Sequence, residues 1–270
     1  MFKKIVIVGT GLIGGSLGLA LKDKALSKEI IGTSRRRANV LLARKMGAID
    51  RAVFSLNVVR EADLLVLAAP VNAIIDSGKQ IAKLLKPDCI VIDVASTKQM
   101  VVEELDGLLP NFVGCHPLAG LEKNGVAFAR KDIFNNSVCI LTPTEKTDKN
   151  ALRKVRSMWK RLGVKVFQMT PEDHDTALGF TSHLPHAVAF SLKRSLPREY
   201  IKFCAGGFKD TTRIAASNAQ LWSEIFLSNR KCLLEAIKVF ESNLSELKSA
   251  VVRNDRKSLV DLLGKSHENA

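Results

Sequence analysis

The chain of 270 residues is poor in aromatic side chains, at 6% with a single tyrosine, and has only five cysteines. Its longest apolar runs, LLVLAAPV and CIVIDVA, fall far short of the roughly 20 residues that a membrane span needs. The first strand-length run, KIVIV, leads into a glycine turn, which argues against a secretion signal. The cysteines form no CxxC pair and match no histidine spacing. We therefore expect a cytoplasmic protein with reduced thiols, no membrane span and no metal site.

The charge balance is strongly basic, with 41 lysines and arginines against 27 acidic residues and a net charge of +14. Such a chain attracts anions, including nucleic acids, phosphorylated cofactors and carboxylate substrates. The basic residues are spread over the whole length, and no basic segment is interleaved with aromatics as in RNA-binding proteins. We therefore expect a small anionic ligand and no nucleic-acid partner.

Short β-branched runs alternate with helical patterns from Lys3 to Gln168, which predicts a parallel, doubly wound α/β sheet. At Thr170 the segment TPED offers a helix N-cap, a proline at the first helical position and an acid at the third. Only helical patterns follow, including a long run from Ala219 to about Arg253. The sequence predicts two domains, residues 1–168 and an all-helical domain over residues 169–270. The predicted strands are KIVIV, EIIGTS, LLVLAAP, CIVIDV, FVGCH, SVCILT and VKVF.

A glycine motif follows the first predicted strand, where KIVIV runs into GTGLIG. Three glycines fit GxGxxG in the strand–turn–helix context, which permits a tight turn and aims a helix N-terminus at a pyrophosphate. A merely tight turn is the alternative, but the context favours a dinucleotide site. The residues predicted to form that site are Gly9, Gly11, Leu12, Ile13, Gly14, Ala69 and Pro70.

The second predicted strand ends in GTSRRR, where an NAD site would carry an acid for the ribose hydroxyls. Ser34, Arg35 and Arg36 stand there instead. A hydroxyl and guanidinium groups can bond a 2′-phosphate with charge assistance, although arginines at a helix start can also simply face water. The segment predicts NADP as the preferred cofactor, with NAD possible.

Two further predicted strands lead into DVASTK and GCHP, which bring Ser96 and His116 to the carboxyl edge of the sheet, where ligands gather. We expect His116 on a loop beside the cofactor. A hydroxyl near an imidazole also suggests nucleophilic catalysis, but the GxSxG elbow is missing. Proton transfer coupled to hydride transfer is therefore the favoured chemistry.

The second half supplies His183 and His186 in TSHLPHAVAF, and Asp210 and Arg213 in GGFKDTTRIAAS. No third ligand at a fitting spacing accompanies the two histidines, so we predict no metal, and a packing role is favoured for His183. The planar fork of Arg213 suits bidentate capture of a carboxylate. An ordinary surface arginine remains the alternative.

With GTGLIGGS, DVASTK, GCHPLAGLEKNG, TSHLPHAVAF and FKDTTRIAAS in this order, nearly the whole chain resembles the prephenate/arogenate dehydrogenase family of tyrosine biosynthesis. The resemblance implies an oxidative decarboxylation. Hydride leaves C4 of a cyclohexadienol for a nicotinamide, the ring carboxylate departs as carbon dioxide and the ring aromatises. It also implies an N-terminal Rossmann domain and a helical C-terminal domain that forms a homodimer.

The same resemblance implies roles for individual residues. His116 takes the proton of the C4 hydroxyl, with Ser96 as its hydrogen-bonding neighbour. A neutral imidazole is required, so activity is expected to fall below a pKa near 6.5. The residues implied to bind the substrate or edge its pocket are His186, Arg213, Glu122, Asp210 and Trp222.

Two other interpretations fit the coarse layout. One is another two-domain Rossmann dehydrogenase or reductase, and the other is a non-catalytic nucleotide sensor or nucleic-acid binder. Within the favoured family, the sequence leaves both prephenate and arogenate open. Glu122 or Asp210 could pair with the ammonium of arogenate, and either could equally orient Arg213.

Overall fold

The computed structural model describes residues 2–121 and 123–265. Eight strands form one sheet in the order β3-β2-β1-β4-β5-β6-β7-β8. All seven predicted strands are present, and a two-residue strand, β3, adds to them. The strands are β1 (Phe2–Val8), β2 (Ser27–Thr33), β3 (Arg51–Ala52), β4 (Leu64–Leu67), β5 (Ile90–Asp93), β6 (Phe112–Leu118), β7 (Val138–Thr142) and β8 (Lys165–Gln168).

The sheet is parallel except for the pair β6 and β7, which is antiparallel. The predicted parallel sheet is therefore wrong at this one pair. Among the residues described between β6 and β7, the structure has one short helical turn, over Val126–Phe128, and no helix long enough to carry the chain back for a parallel strand. A full helix over Lys149–Arg161 then joins β7 to β8, which are parallel.

Eleven α-helices accompany the strands in the described part of the chain. Five of these helices come before β8 in the chain, and six come after β8. The helices are α1 (Leu12–Asp23), α2 (Arg37–Lys45), α3 (Val71–Ile81), α4 (Gln99–Leu105), α5 (Lys149–Arg161), α6 (Pro171–Leu178), α7 (Leu184–Arg194), α8 (Gly206–Thr212), α9 (Ala219–Ser228), α10 (Arg230–Val252) and α11 (Arg256–Lys265).

The core lies on both faces of the sheet, because successive side chains of a buried parallel strand point to opposite faces. Ile5 and Ile7 of β1 belong to one apolar cluster, while Val6 and Val8 belong to the other. Both faces are covered by helices, so the fold is a Rossmann-like layered sheet. The strand order reverses between β1 and β4, and ligands of such sheets bind in the crevice at that point.

The helical half begins as the sequence predicts. Thr170 caps α6, its hydroxyl accepting the N–H of Asp173 at 3.0 Å, and Pro171 is the first helical residue. The predicted boundary at 168/169 falls in the connection between β8 and α6. The long helical run predicted from Ala219 is divided at Asn229 into α9 and α10. Among the described residues, every helix is too short or too polar to span a bilayer.

Candidate active site

A cavity of about 940 Å³ lies between the carboxyl edge of the sheet and the helical half. Its walls come from the loops after β1, β4 and β5, from β6, and from α7 and α9 with the turns that precede them. Ten of the residues predicted to bind or react face it together. They are Gly11, Leu12, Ile13, Ala69, Pro70, Ser96, His116, His186, Arg213 and Trp222.

The glycine end of the cavity fits a dinucleotide. Gly9 has φ +102°, and a Cβ there would stand 2.2 Å from the carbonyl oxygen of Ala68. A Cβ on Gly14 would stand 2.0 Å from the Gly9 carbonyl oxygen, so both glycines serve close packing. A Cβ on Gly11 would meet no described atom within 4 Å and would project where the cavity begins. Gly11 precedes α1 and no side chain caps it, which suits a pyrophosphate at the helix N-terminus.

His116 lies within β6 and not on a loop, which corrects the expectation from the sequence. Only the first two residues of β6 pair with β5, so the strand runs past the end of β5. His116 pairs with Ile140 of β7, is buried with 8% of its surface exposed, and lines the cavity. The antiparallel strand β7 therefore gives the imidazole a rigid support at the position where a loop was expected.

Behind His116 lies a second imidazole and then a carboxylate. His116 Nδ1 is 2.8 Å from His174 Nε2, and His174 Nδ1 is 2.7 Å from Asp175 Oδ1. His174 and Asp175 belong to α6 and are both almost fully buried. The chain of contacts joins β6 in the sheet to the first helix of the helical half.

The Asp175 carboxylate also receives two backbone N–H groups, those of Lys98 at 2.7 Å and Gln99 at 2.9 Å. These N–H groups lie at the start of α4, where a helix has unpaired donors. The side chain of Lys98 is fully buried and forms an ion pair with Asp93. The other oxygen of Asp93 accepts the N–H of Cys115 at 3.3 Å, next to His116.

The surroundings keep His116 neutral. Burial, followed by the nearby His174, Lys98 and His183, lowers the pKa of His116 well below its ordinary value of 6.5. Burial also lowers the pKa of His174, although Asp175 opposes that shift. An imidazole with a lowered pKa stays unprotonated at pH 6.5 and gains its proton only as the pH falls through the lower value. The base form is therefore present over a wider pH range than the sequence predicts.

The helical side of the cavity is lined by aromatic rings. The imidazole of His186 stacks on Trp222 with ring centroids 3.4 Å apart and planes inclined by 19°. His186 Nδ1 donates to the carbonyl of Ser182 at 3.0 Å, which fixes the ring. One wide helical turn, Gly179–His183, bulges between α6 and α7 and brings Ser182 and His183 to the cavity. Such bulges often mark functional positions in helices.

His183 is buried, as its predicted packing role requires, yet it also lines the cavity. Asn229 donates to His183 Nδ1 at 3.0 Å and to the carbonyl of Asp175 at 2.6 Å. Burial lowers the pKa of His183 to about 4. This asparagine thus holds a neutral imidazole, and it stands at the junction where the helical run predicted from Ala219 is divided into α9 and α10.

Some of the predicted site residues do not line the cavity. Ser34, Arg35 and Arg36 lie in the loop after β2, with both arginines exposed. Asp210 is exposed on α8, and Glu122 lies outside the described residues. Within residues 2–121 and 123–265, no three His, Cys, Asp or Glu side chains are grouped to hold a metal ion.

His174 and Asp175 were missed by the sequence reasoning, and Lys98 was noticed only as part of a strand end. The residue pair His174 and Asp175 follows the helix start TPED directly, where it resembles ordinary first-turn sequence. Its partner His116 is 58 residues away along the chain. No spacing rule links the two positions, so only the docking of α6 against β6 reveals the contact.

Comparison with known proteins resolves the family. The model described as prephenate dehydrogenase, nucleotide-binding domain, matches residues 17–168, and the one described as prephenate dehydrogenase, dimerization domain, matches residues 170–265. The chain belongs to the prephenate dehydrogenase family. It is therefore an oxidoreductase that uses a nicotinamide cofactor, and its reaction is an oxidative decarboxylation in tyrosine biosynthesis.

Relatives in this family match the chain over most of their length. A prephenate dehydrogenase of Bacillus subtilis is 36% identical over 94% of this chain and 72% of its own. A cyclohexadienyl dehydrogenase of Zymomonas mobilis is 34% identical over 97% and 92%. The crystal structure of prephenate dehydrogenase from Aquifex aeolicus with hydroxyphenyl propionate and NAD⁺ has a TM-score of 0.93 at 36% identity, covering 100% of this chain and 97% of that one.

One added methyl group should affect stability at Gly14 and cofactor binding at Gly11. Gly14→Ala should destabilise the fold by about 1–3 kcal/mol. Its Cβ would overlap the Gly9 carbonyl oxygen, and relieving the overlap would require a shift of the backbone. Gly11→Ala should leave the melting temperature near wild type and weaken NAD(P)H binding by about tenfold or more, since the methyl enters the cavity. Thermal melts and fluorescence titration of NAD(P)H measure the pair. Unchanged binding by Gly11→Ala would place the dinucleotide elsewhere.

Proposed function

We propose that this chain oxidises and decarboxylates prephenate or arogenate, with His116 as the base for the C4 hydroxyl. The observation that supports it most directly is a buried, neutral imidazole on the wall of one cavity that runs from the glycine turn to Arg213 and Trp222. The nicotinamide accepts the hydride that leaves C4. The relatives named for prephenate and for cyclohexadienyl substrates support the same substrate class.

His116 acts on the proton in this proposal. As hydride leaves C4, the imidazole takes the hydroxyl proton and a C4 carbonyl forms. The bond between the ring and its carboxylate then breaks, carbon dioxide departs, and the electron pair flows through the ring to the C4 oxygen. That oxygen takes the proton back from His116, so the products are a phenol and a neutral imidazole. Ser96, which lines the same cavity, is the proposed hydrogen-bonding neighbour.

Arg213 is the proposed partner of the substrate's side-chain carboxylate, because it is a guanidinium on the cavity wall opposite the sheet. The stacked pair of His186 and Trp222 forms the adjoining wall and suits contact with the flat ring. The net charge of +14 favours approach of a substrate with two carboxylates. Glu122 and Asp210 remain proposed pocket-edge residues.

We further propose that NADP is preferred over NAD. The loop with Ser34, Arg35 and Arg36 adjoins the glycine turn, since Gly9 donates its N–H to the carbonyl of Thr33 at 2.8 Å. That position suits the 2′ end of an adenosine ribose, and the exposed arginines suit a phosphate there. The complex of the Aquifex relative with NAD⁺ keeps NAD as the alternative.

The third part of the proposal is a homodimer formed by the helical half. The matched family model for residues 170–265 is described as a dimerization domain. Large apolar side chains are exposed in this half, among them Phe203 between α7 and α8, Leu227 on α9 and Val252 at the end of α10, each at least 70% exposed. Surfaces of this kind commonly mark protein–protein contacts.

For the proposed chemistry, His116→Asn should lower kcat by roughly 10²–10⁴-fold and leave NAD(P)H binding near wild type, because only the proton acceptor is lost. Formation of a 4-hydroxyphenyl product from prephenate and from arogenate is the assay.

In the wild type, kcat/KM should fall on the acid side at a pH below 6.5, because protonation inactivates a base whose pKa is lowered. A wild-type enzyme inactive on both substrates would refute the proposed function. A His116→Asn variant with wild-type kcat would remove His116 from the mechanism.

For the cofactor, the double variant Ser34→Asp with Arg35→Ala should shift kcat/KM from NADP toward NAD by about 10–150-fold. One charge-assisted bond to the phosphate contributes roughly 1.5–3 kcal/mol. Arg44→Ala is the matched control, because it removes an exposed positive charge at the far end of α2. Equal or better use of NAD by the wild type would contradict the preference.

For the assembly, sedimentation at micromolar concentration should show a dimer. Leu244→Glu, at a half-exposed position in the middle of α10, should shift the equilibrium toward monomer because it adds a charge to the apolar surface. Leu108→Glu, at a similarly exposed leucine in the sheet half, should not. A wild-type monomer would rule the dimer out.

A further inference from the structure

We propose that His174 and Asp175 are positioning residues that keep the proton of His116 on Nδ1 and its Nε2 lone pair directed at the substrate. This inference rests on the proposed function, because it describes how the base of that reaction is prepared. It adds two residues of the helical half to the machinery of a histidine that lies in the sheet.

The direction of each hydrogen bond follows from the carboxylate. Both oxygens of Asp175 are acceptors, Oδ1 for the backbone N–H of Lys98 and Oδ2 for that of Gln99. An ionised carboxylate can only accept hydrogen bonds. His174 Nδ1, 2.7 Å from Asp175 Oδ1, must therefore carry a proton and donate it to that oxygen.

The next bond follows from the first. A neutral imidazole carries one N–H, so His174 with its proton on Nδ1 has a lone pair on Nε2. His116 Nδ1 lies 2.8 Å from that atom and must donate to it. The nitrogen of His116 that carries no proton is then Nε2, and a lone pair on that atom is what a base for the C4 hydroxyl needs.

The same hydrogen bonds also stabilise His116 after it has taken the substrate proton. Once His116 has taken the substrate proton, it is a cation in a buried site that holds the Lys98 ammonium nearby. Its Nδ1–H then donates to His174 Nε2 as a charge-assisted bond, and the negative charge of Asp175 lies directly behind His174. The side chain of Lys98 is itself paired with Asp93, so the Asp175 charge remains available to the two imidazoles.

Because of the Asp175 carboxylate, the tautomer of His116 depends on how the two halves pack together. Asp175 belongs to α6, but the two N–H groups that it accepts begin α4 beside the sheet. Any shift of α6 relative to α4 would therefore move His174 and release His116 from its fixed tautomer. The base is set correctly only when the helical half and the sheet are packed together.

Variants at His174 and nitrogen NMR test the proposal. His174→Phe removes the acceptor and should lower kcat by about 10²-fold, while KM and NAD(P)H binding stay near wild type. His174→Gln keeps an acceptor oxygen close to the position of Nε2 and should recover most of that loss. Val155→Ala creates a cavity in the core of the sheet half and should lower the melting temperature without changing kcat.

The spectra of the wild-type protein without substrate should show both His116 and His174 with the proton on Nδ1. His174→Phe should convert His116 to a mixture of tautomers. A wild-type His116 with its proton on Nε2 would overturn the proposal, and so would a His174→Phe variant with unchanged kcat. If Val155→Ala lowered kcat as much as His174→Phe at equal stability, the effect would be structural and the proposal would fail. Lack of activity on prephenate and arogenate would refute the proposed function alone, because the tautomers are measured independently of turnover.

Discussion

The structure of the site depends on one carboxylate, that of Asp175, which accepts hydrogen bonds from both halves of the molecule at once. It takes the N–H groups of Lys98 and Gln99 at the start of α4 and the ring of His174 on its own helix. An ionised group buried to this degree is tolerated only when it is fully hydrogen-bonded. The relative position of β6, α4 and α6 is therefore strongly constrained.

A second buried charge extends this constraint. Lys98 is fully buried with Asp93 as its partner, and removing either member would leave a charge in a region that water does not reach. Asp93 also accepts the N–H of Cys115, so the ion pair holds the strand that carries His116. These groups add little to stability by themselves, because desolvation offsets their attraction, but they specify one arrangement of the reacting histidine.

The glycine turn shows how the same residue type serves two purposes. Gly9 and Gly14 allow the backbone of β1 and α1 to approach other backbone within a distance that no side chain permits. Gly11 faces the cavity, where a methyl group would take space that a pyrophosphate needs. The sequence motif does not distinguish the three glycines. Their surroundings in the structure show which of them serve packing and which one faces the binding cavity.

The sequence by itself determined the order of strands and helices, the dinucleotide turn and the family, because period, glycine spacing and segment order are local properties of the chain. The strands from KIVIV to VKVF and the helix start at Thr170 follow from such local signals. Tertiary structure decided the rest. Segments that meet only after folding decide four features. These are the antiparallel direction of β7, the place of His116 in a strand, the break at Asn229 and the contact of His116 with His174. Their energies come from packing and from the pairing of buried polar groups, and neither leaves a periodic pattern in a single sequence.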